Sequence, residues 1–137
     1  MAMTKMIAFS GSHIRASEFI PGIISQITIK PANNNANEVT RHTISFISSN
    51  AFSGKVRIDM PEGILLPKTV KGGKIVFENE IEMFGLSGLA PEFTISGVRN
   101  PVASGDAGRI RITTFNRVDG KEYMVDTGES EKSFEVK

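Results

Sequence analysis

Apolar and polar residues alternate with a period of two along most of the chain from Ile20 onward. The clearest case is segment 55–60, KVRIDM, in which Val56, Ile58 and Met60 are the apolar positions. This is the period of a β-strand with one face in a core and the other in water, because successive side chains of a strand point to opposite sides. Helical spacing is nearly absent. The pattern therefore predicts an all-β fold.

The same alternation predicts further strands, and clusters of Gly, Pro, Asn and Asp mark the turns between them. In the first strand, 23–30, it assigns Ile23, Ile27 and Ile29 to the buried face. The pair Asp119-Gly120 predicts a tight hairpin turn, because both central positions of that turn favour a positive φ. A loop is predicted at 85–91, and the other strands are 39–48, 55–60, 74–78, 80–83, 93–98, 109–115, 121–127 and 133–136.

These strands lead to one predicted architecture. About seven to nine short antiparallel strands, each with one apolar face, predict an immunoglobulin-like β-sandwich. A closed β-barrel would give the same alternation and is the alternative. Residues 1–19 are interpreted as a tag or linker, because GSH at 11–13 and AS at 16–17 look like translated cloning sites. Residues 20–137 are then a single β-sandwich domain.

Composition narrows the possible partners. The 16 Lys and Arg nearly balance the 15 Asp and Glu, so the net charge of +1 gives no electrostatic reason to expect a nucleic acid. No apolar run approaches the roughly 20 residues of a membrane-spanning helix, and no membrane insertion is expected. The chain has no Cys, which removes disulfides, thiolate metal ligands and Cys nucleophiles but leaves the compartment open.

The sequence shows no catalytic constellation. Its two histidines, His13 and His42, are far apart in sequence and have no Cys beside them, so neither a zinc site nor a catalytic triad can be assembled. Asp119, Glu122 and Asp126 carry carboxylates of the kind that bind calcium, but their spacing matches no calcium loop. We therefore expect no catalytic residue, no metal site and no cofactor.

Four basic residues form the candidate binding patch. Arg109 and Arg111 point outward on one predicted strand, and Lys55 and Arg57 point outward on another. If the two strands are neighbours, these side chains form a basic patch for anionic groups. The alternative is charged decoration that keeps sheet edges from pairing. A stacking platform for sugars is hard to build, since the chain has no Trp and a single Tyr, Tyr123.

Two segments resemble a known pattern. TISGVRNP at 94–101, followed by AGRIRITT at 107–114, is similar to a strand-end and turn sequence of extracellular modules in surface-layer, adhesin-like and other repeat-containing surface proteins. Upstream, segments 27–31, 43–46 and 56–63 match the order of the pattern's earlier strands. Arg109 departs from it, because an aromatic residue often stands at that position. The order of the segments is more specific than any one of them.

The resemblance implies an immunoglobulin-like, extracellular or cell-surface module. Its expected role is non-catalytic: a structural or adhesive part of a larger cell-surface or secreted protein, acting in protein–protein assembly or attachment. The expected partners are a protein or glycan at a surface and neighbouring domains of a parent protein. The alternative is a carbohydrate- or ligand-binding accessory domain, including a calcium-assisted one. Modules that resemble this chain sometimes carry an internal Lys–Asn isopeptide bond.

Overall fold

A computed structural model describes residues 22–137. That part of the chain contains no helix, and none of it meets the requirements of a membrane-spanning helix. The predicted all-β fold is confirmed. The strands are β1 (Gly22–Pro31), β2 (Val39–Ser48), β3 (Phe52–Asp59), β4 (Gly73–Phe77), β5 (Glu80–Gly88), β6 (Glu92–Arg99), β7 (Gly105–Asp106), β8 (Ile110–Val118), β9 (Lys121–Ser130) and β10 (Glu135–Val136).

The strands curl into two packed faces that share β1. Eight strands are hydrogen-bonded in the order β4-β5-β3-β8-β9-β1-β2-β6, and β7 pairs with β10. The first residues of β1 pair in parallel with β9, where Gly22 lies opposite Asp126. Its later residues pair antiparallel with β2, up to Pro31 opposite His42. The large face therefore consists of β4-β5-β3-β8-β9 with the first residues of β1, and the small face consists of the rest of β1 with β2 and β6.

The inward side chains of both faces form one apolar core. Ile44 and Phe46 of β2 are buried together with Ile58 of β3 and Ile112 of β8. Each such side chain contributes about 1.5–3 kcal/mol through removal of its apolar surface from water. The alternation predicted from sequence thus corresponds to the side chains that hold the two faces together.

A β-bulge in β1 corrects the predicted face of its first residues. Ile23 is 69 % exposed and Ile24 is buried, the reverse of the expectation. The register with β2 slips between Ser25 and Thr28, and Gln26 has a φ of 50°. The extra residue reverses the side-chain parity. At this bulge β1 leaves the large face and joins the small one.

Most strand positions agree with the prediction, and the differences have local causes. Strand 39–48 is β2 as predicted, and the Asp119-Gly120 turn has φ values of 52° and 78°. The predicted loop at 85–91 begins too early, because β5 continues to Gly88. Residues 22–137 contain ten strands, one more than the nine predicted: β7 has two residues and is too short to show a period, and the strand predicted at 133–136 is shortened to β10. The prediction for residues 1–19 lies outside the described residues.

The pairings place the connecting loops at two opposite ends of the molecule. Segment 32–38, segment 100–109 and the C-terminal residue Lys137 lie at one end, which we call the C-terminal end. The turns at 49–51 and 119–120 lie at the other. Segment 60–72 leaves β3 at the C-terminal end, and Leu65 pairs with Arg99 beside the edge strand β6 before the chain returns to β4.

Candidate functional site

The four basic residues of the predicted patch stand on neighbouring strands. β3 and β8 are paired, with Lys55 opposite Phe115 and Asp59 opposite Arg111. Lys55 and Arg57 alternate with buried residues of β3, so they lie on the outer side of the large face. Arg109 precedes the first residue of β8. The two strands are therefore neighbours, as a shared basic patch requires. The surroundings of Lys55 and Arg57 nevertheless differ from those of Arg109 and Arg111.

Acidic residues neutralise the Lys55 half of the patch. Lys55 Nζ lies 2.9 Å from Glu82 Oε2 and 2.9 Å from Glu122 Oε1, and Arg57 Nε lies 3.0 Å from Glu80 Oε2. Burial disfavours the charge of Lys55, but hydrogen bonds and attraction to Glu82 and Glu122 outweigh it and raise the lysine pKa. These cations are therefore part of an ion-pair network within the large face.

Glu82 is the buried centre of that network. It is 5 % exposed and accepts hydrogen bonds from Lys55 and Arg57. Burial alone would raise its pKa, but these bonds and the two positive charges lower it overall. The ring of Phe115 lies beneath both cations, with its centroid 5.1 Å from Lys55 Nζ and 5.2 Å from Arg57 Cζ. Such contacts add cation–π attraction to the ion pairs.

Apolar side chains on three strands of the large face lie in register with Lys55 of this network, and composition did not predict them. Phe84 of β5 and Phe115 of β8 both lie opposite Lys55, and Phe115 lies opposite Met124 of β9. Phe84 is 47 % exposed and Met124 is 40 % exposed. We call Phe84, Phe115 and Met124 the apolar row. Phe84 points outward because it has the same side-chain parity in β5 as Glu80 and Glu82.

Arg109 and Arg111 make weaker ion pairs within the chain than Lys55 and Arg57 do. Arg109 Nη1 and Arg111 Nε lie 3.7 and 3.9 Å from the carboxylate of Glu129. Their side chains are 67 % and 55 % exposed. Both distances exceed those of a good hydrogen bond, so the two guanidinium groups share one weak partner.

Both arginines line a cleft of about 490 Å³ at the C-terminal end. Asn79 shapes its floor, because the backbone N–H of Met60 donates to Asn79 O at 2.8 Å and the Asn79 side chain donates to Met60 O at 2.6 Å. The walls combine the end of β3, the turn after it and the chain before β8. The lining residues are Asp59, Met60, Glu62, Gly63, Asn79, Ala107, Gly108, Arg109 and Arg111.

His42 forms a buried polar cluster at the same end. It is fully buried, and its Nε2 lies 2.8 Å from Asn100 Oδ1. The Asn100 amide nitrogen donates to the carbonyls of Asn33 and Asn35, so its oxygen faces the imidazole and His42 Nε2 carries the proton. Desolvation lowers the pKa of His42, although the Asn100 bond opposes this. The cluster fixes the loop after β1.

Asp126 forms the corresponding cluster at the opposite end. Its buried carboxylate accepts hydrogen bonds from the hydroxyls of Ser48 and Ser49 and from the backbone and side-chain nitrogens of Asn50. Burial alone would raise the Asp126 pKa, but these donors lower it overall. The Ser49 hydroxyl also accepts from the N–H of Ile23. This carboxylate therefore joins the 48–50 turn to the start of β1.

These contacts bear on the metal and cross-link hypotheses. Asp119 and Glu122 are exposed while Asp126 is buried among donors, and residues 22–137 contain no group of three or more His, Cys, Asp or Glu placed to hold a metal. Asn100 and Asn50 direct their amides to backbone carbonyls and to Asp126. In the described range no lysine nitrogen is hydrogen-bonded to an asparagine side chain, the contact from which a Lys–Asn isopeptide bond would form.

Comparisons with known proteins add little to this geometry. No family model matches the chain, and no curated protein is similar to it in sequence. One similar solved structure is the human F-spondin reeler domain, with 9 % sequence identity and a TM-score of 0.35, over 85 % of this chain and 91 % of that one. The fold assignment therefore rests on the strands and their pairings.

Proposed function

We propose that this chain is a non-catalytic structural module of a larger cell-surface or secreted protein, and that it acts in protein–protein assembly. The extracellular placement, the immunoglobulin-like kinship and the adhesive role are supported by the resemblance of segments 94–101 and 107–114 to surface-protein modules. The contact itself is supported by a feature of the surface. That feature is the apolar row on the outer side of the large face.

The apolar row has the composition of a protein contact. Phe84 and Met124 expose much of their apolar surface at the two ends of the row, and Lys55 lies between Phe84 and Phe115. Phe and Met are enriched in protein interfaces relative to the rest of the surface. The nearby charges of Lys55, Arg57 and Glu82 are already paired within the chain, so covering them leaves no lone buried charge. The favoured occupant is the same row of a second copy.

Sedimentation of the full 137-residue chain over a range of concentrations tests this assembly. We expect a concentration-dependent dimer that is lost in Phe84→Lys and in Met124→Lys, since each replaces an apolar side chain of the contact with a charge. Phe77→Lys is the matched control, because Phe77 is 69 % exposed on the edge strand β4 and lies outside the row. The Phe77→Lys chain should still form the dimer. A wild-type chain that stays monomeric, or equal loss of dimer in all three variants, would contradict the proposal.

A further inference from the structure

The cleft at the C-terminal end is lined by both basic and acidic side chains. Arg109 and Arg111 are the basic ones, Asp59 lies directly opposite Arg111 in the β3–β8 pairing, and Glu62 follows in the turn after β3. A volume of about 490 Å³ lies within the range of small-molecule sites, about 300–1,000 Å³. The cleft is separate from the apolar row, so binding of a ligand there does not depend on assembly through that row.

The basic and acidic groups of the cleft are largely uncommitted within residues 22–137. Each guanidinium has five N–H donors, and the contact that Arg109 and Arg111 make is the distant one with Glu129. Lys55 and Arg57, by contrast, have carboxylates at 2.9–3.0 Å. Across the described range Asp59 makes no side-chain hydrogen bond or ion pair, and Glu62 makes none either.

From this arrangement we infer that the cleft binds a carboxylated sugar. A carboxylate is the group that two adjacent guanidinium forks bind best, through paired charge-assisted hydrogen bonds. Asp59 and Glu62 are acceptors for ligand hydroxyls in the same cleft. Their charges also repel a polyphosphate or any other ligand with several negative charges. A ligand with one carboxylate and several hydroxyls therefore suits both kinds of side chain.

The backbone of the cleft lets such a ligand approach closely. Gly108 has a φ of 111°, and a Cβ built there would meet no atom within 4 Å, so the glycine leaves open space at the rim. The Asp106 carboxylate accepts a hydrogen bond from the N–H of Gly108 at 2.8 Å and holds this turn in place. A sugar ring can therefore reach both guanidinium groups without displacing a side chain at position 108.

Titration of the full chain with three probes tests the inference. The probes are a galacturonic acid trisaccharide, the neutral galactose trisaccharide and a zwitterionic dipeptide, with binding followed by calorimetry and by amide NMR shifts. We expect the acidic sugar to bind and to shift the amides of Gly63, Gly108 and Arg109. The neutral sugar should bind at least about tenfold more weakly, since it lacks the charge-assisted bonds.

Two variants of β8 distinguish binding in the cleft from non-specific attraction to positive charge. Arg111→Gln should weaken acidic-sugar binding at least about tenfold, whereas Arg117→Gln, an exposed arginine at the other end of β8, should leave it unchanged. Equal effects of Arg111→Gln and Arg117→Gln, tighter binding of the dipeptide, equal binding of the neutral sugar, or no binding by any probe would each overturn the inference.

Discussion

His42 carries a proton on Nε2, and a second proton on Nδ1 would find no hydrogen-bond acceptor among the described residues. Its Nε2 donates to Asn100, while Nδ1 is buried and has no partner among the described residues. Burial lowers its folded-state pKa from the usual value near 6.5, so below that pH the unfolded chain takes up a proton that the folded chain resists. Stability is therefore fully present above pH 6.5 and falls as the pH decreases toward the folded pKa.

Urea unfolding between pH 7.5 and 5.5 measures this effect. We expect the free energy of unfolding to fall below pH 6.5 with a slope that approaches about 1.4 kcal/mol per pH unit. His42→Gln should flatten the slope, because a Gln amide can still donate to Asn100 but does not titrate. Arg41→Gln, at the exposed neighbouring position of β2, is the control and should keep the slope. A slope that survives in His42→Gln would contradict the assignment.

The burial of His42 could be predicted from the sequence, but its hydrogen-bond partner could not. His42 has the same parity in β2 as Ile44 and Phe46, so its burial followed from the alternation. Its partner Asn100 is 58 positions away, and no local pattern links the two. The same holds for Asp126, which was considered a calcium ligand and instead accepts bonds from the 48–50 turn. Long-range polar pairs depend on the register of the whole sheet, which periodicity does not give.

The element that prediction described least well is β1, because it belongs to both faces. Its approach to β9 depends on Gly128, where a Cβ would lie 2.2 Å from the backbone oxygen of Ile24. Such a contact forces one backbone to move. Periodicity assigned most strands within a few residues, as at β2 and β6, but it had no means of showing where a strand changes sheets. That change is set by the bulge at Gln26 and by the partners on both sides.

Substitution of Gly128 tests whether β1 is held by this close approach. We expect Gly128→Ala to lower the free energy of unfolding by about 2 kcal/mol or more, as overpacking at a rigid contact does. Hydrogen exchange should become faster at residues 22–25, while the β2–β6 pairing keeps its protection. Glu129→Ala, at the exposed neighbouring position of β9, should change stability by less than about 0.5 kcal/mol. Unchanged exchange in β1 would show that the strand tolerates the added methyl group.

At the scale of the whole molecule, the last residues of the chain connect several loops at the C-terminal end. Lys137 N–H donates to Asn34 O at 2.8 Å, and Ala36 N–H donates to Lys137 O at 2.8 Å. Phe134 O accepts from Ala107 N–H at 2.9 Å, and the Phe134 ring packs edge-on against His42 with centroids 5.1 Å apart. The segment 131–137 therefore joins the loop after β1 to the loop before β8 and covers the buried imidazole.

Removal of this cover should change the acid response of the entire domain. Phe134→Ala lets water reach His42, and because desolvation is the main cause of its lowered pKa, we expect that pKa to rise toward its usual value. The folded and unfolded chains then bind protons nearly alike, so the loss of stability below pH 6.5 becomes smaller, although stability at pH 7.5 is itself reduced by the lost packing.

NMR titration of the His42 ring measures the pKa directly. Val102→Ala, at a side chain 77 % exposed on a loop of the same end, is the control and should leave the titration unchanged. An unchanged His42 pKa in Phe134→Ala would mean that the imidazole stays dry without this ring, and that the strands alone keep water out of the C-terminal end.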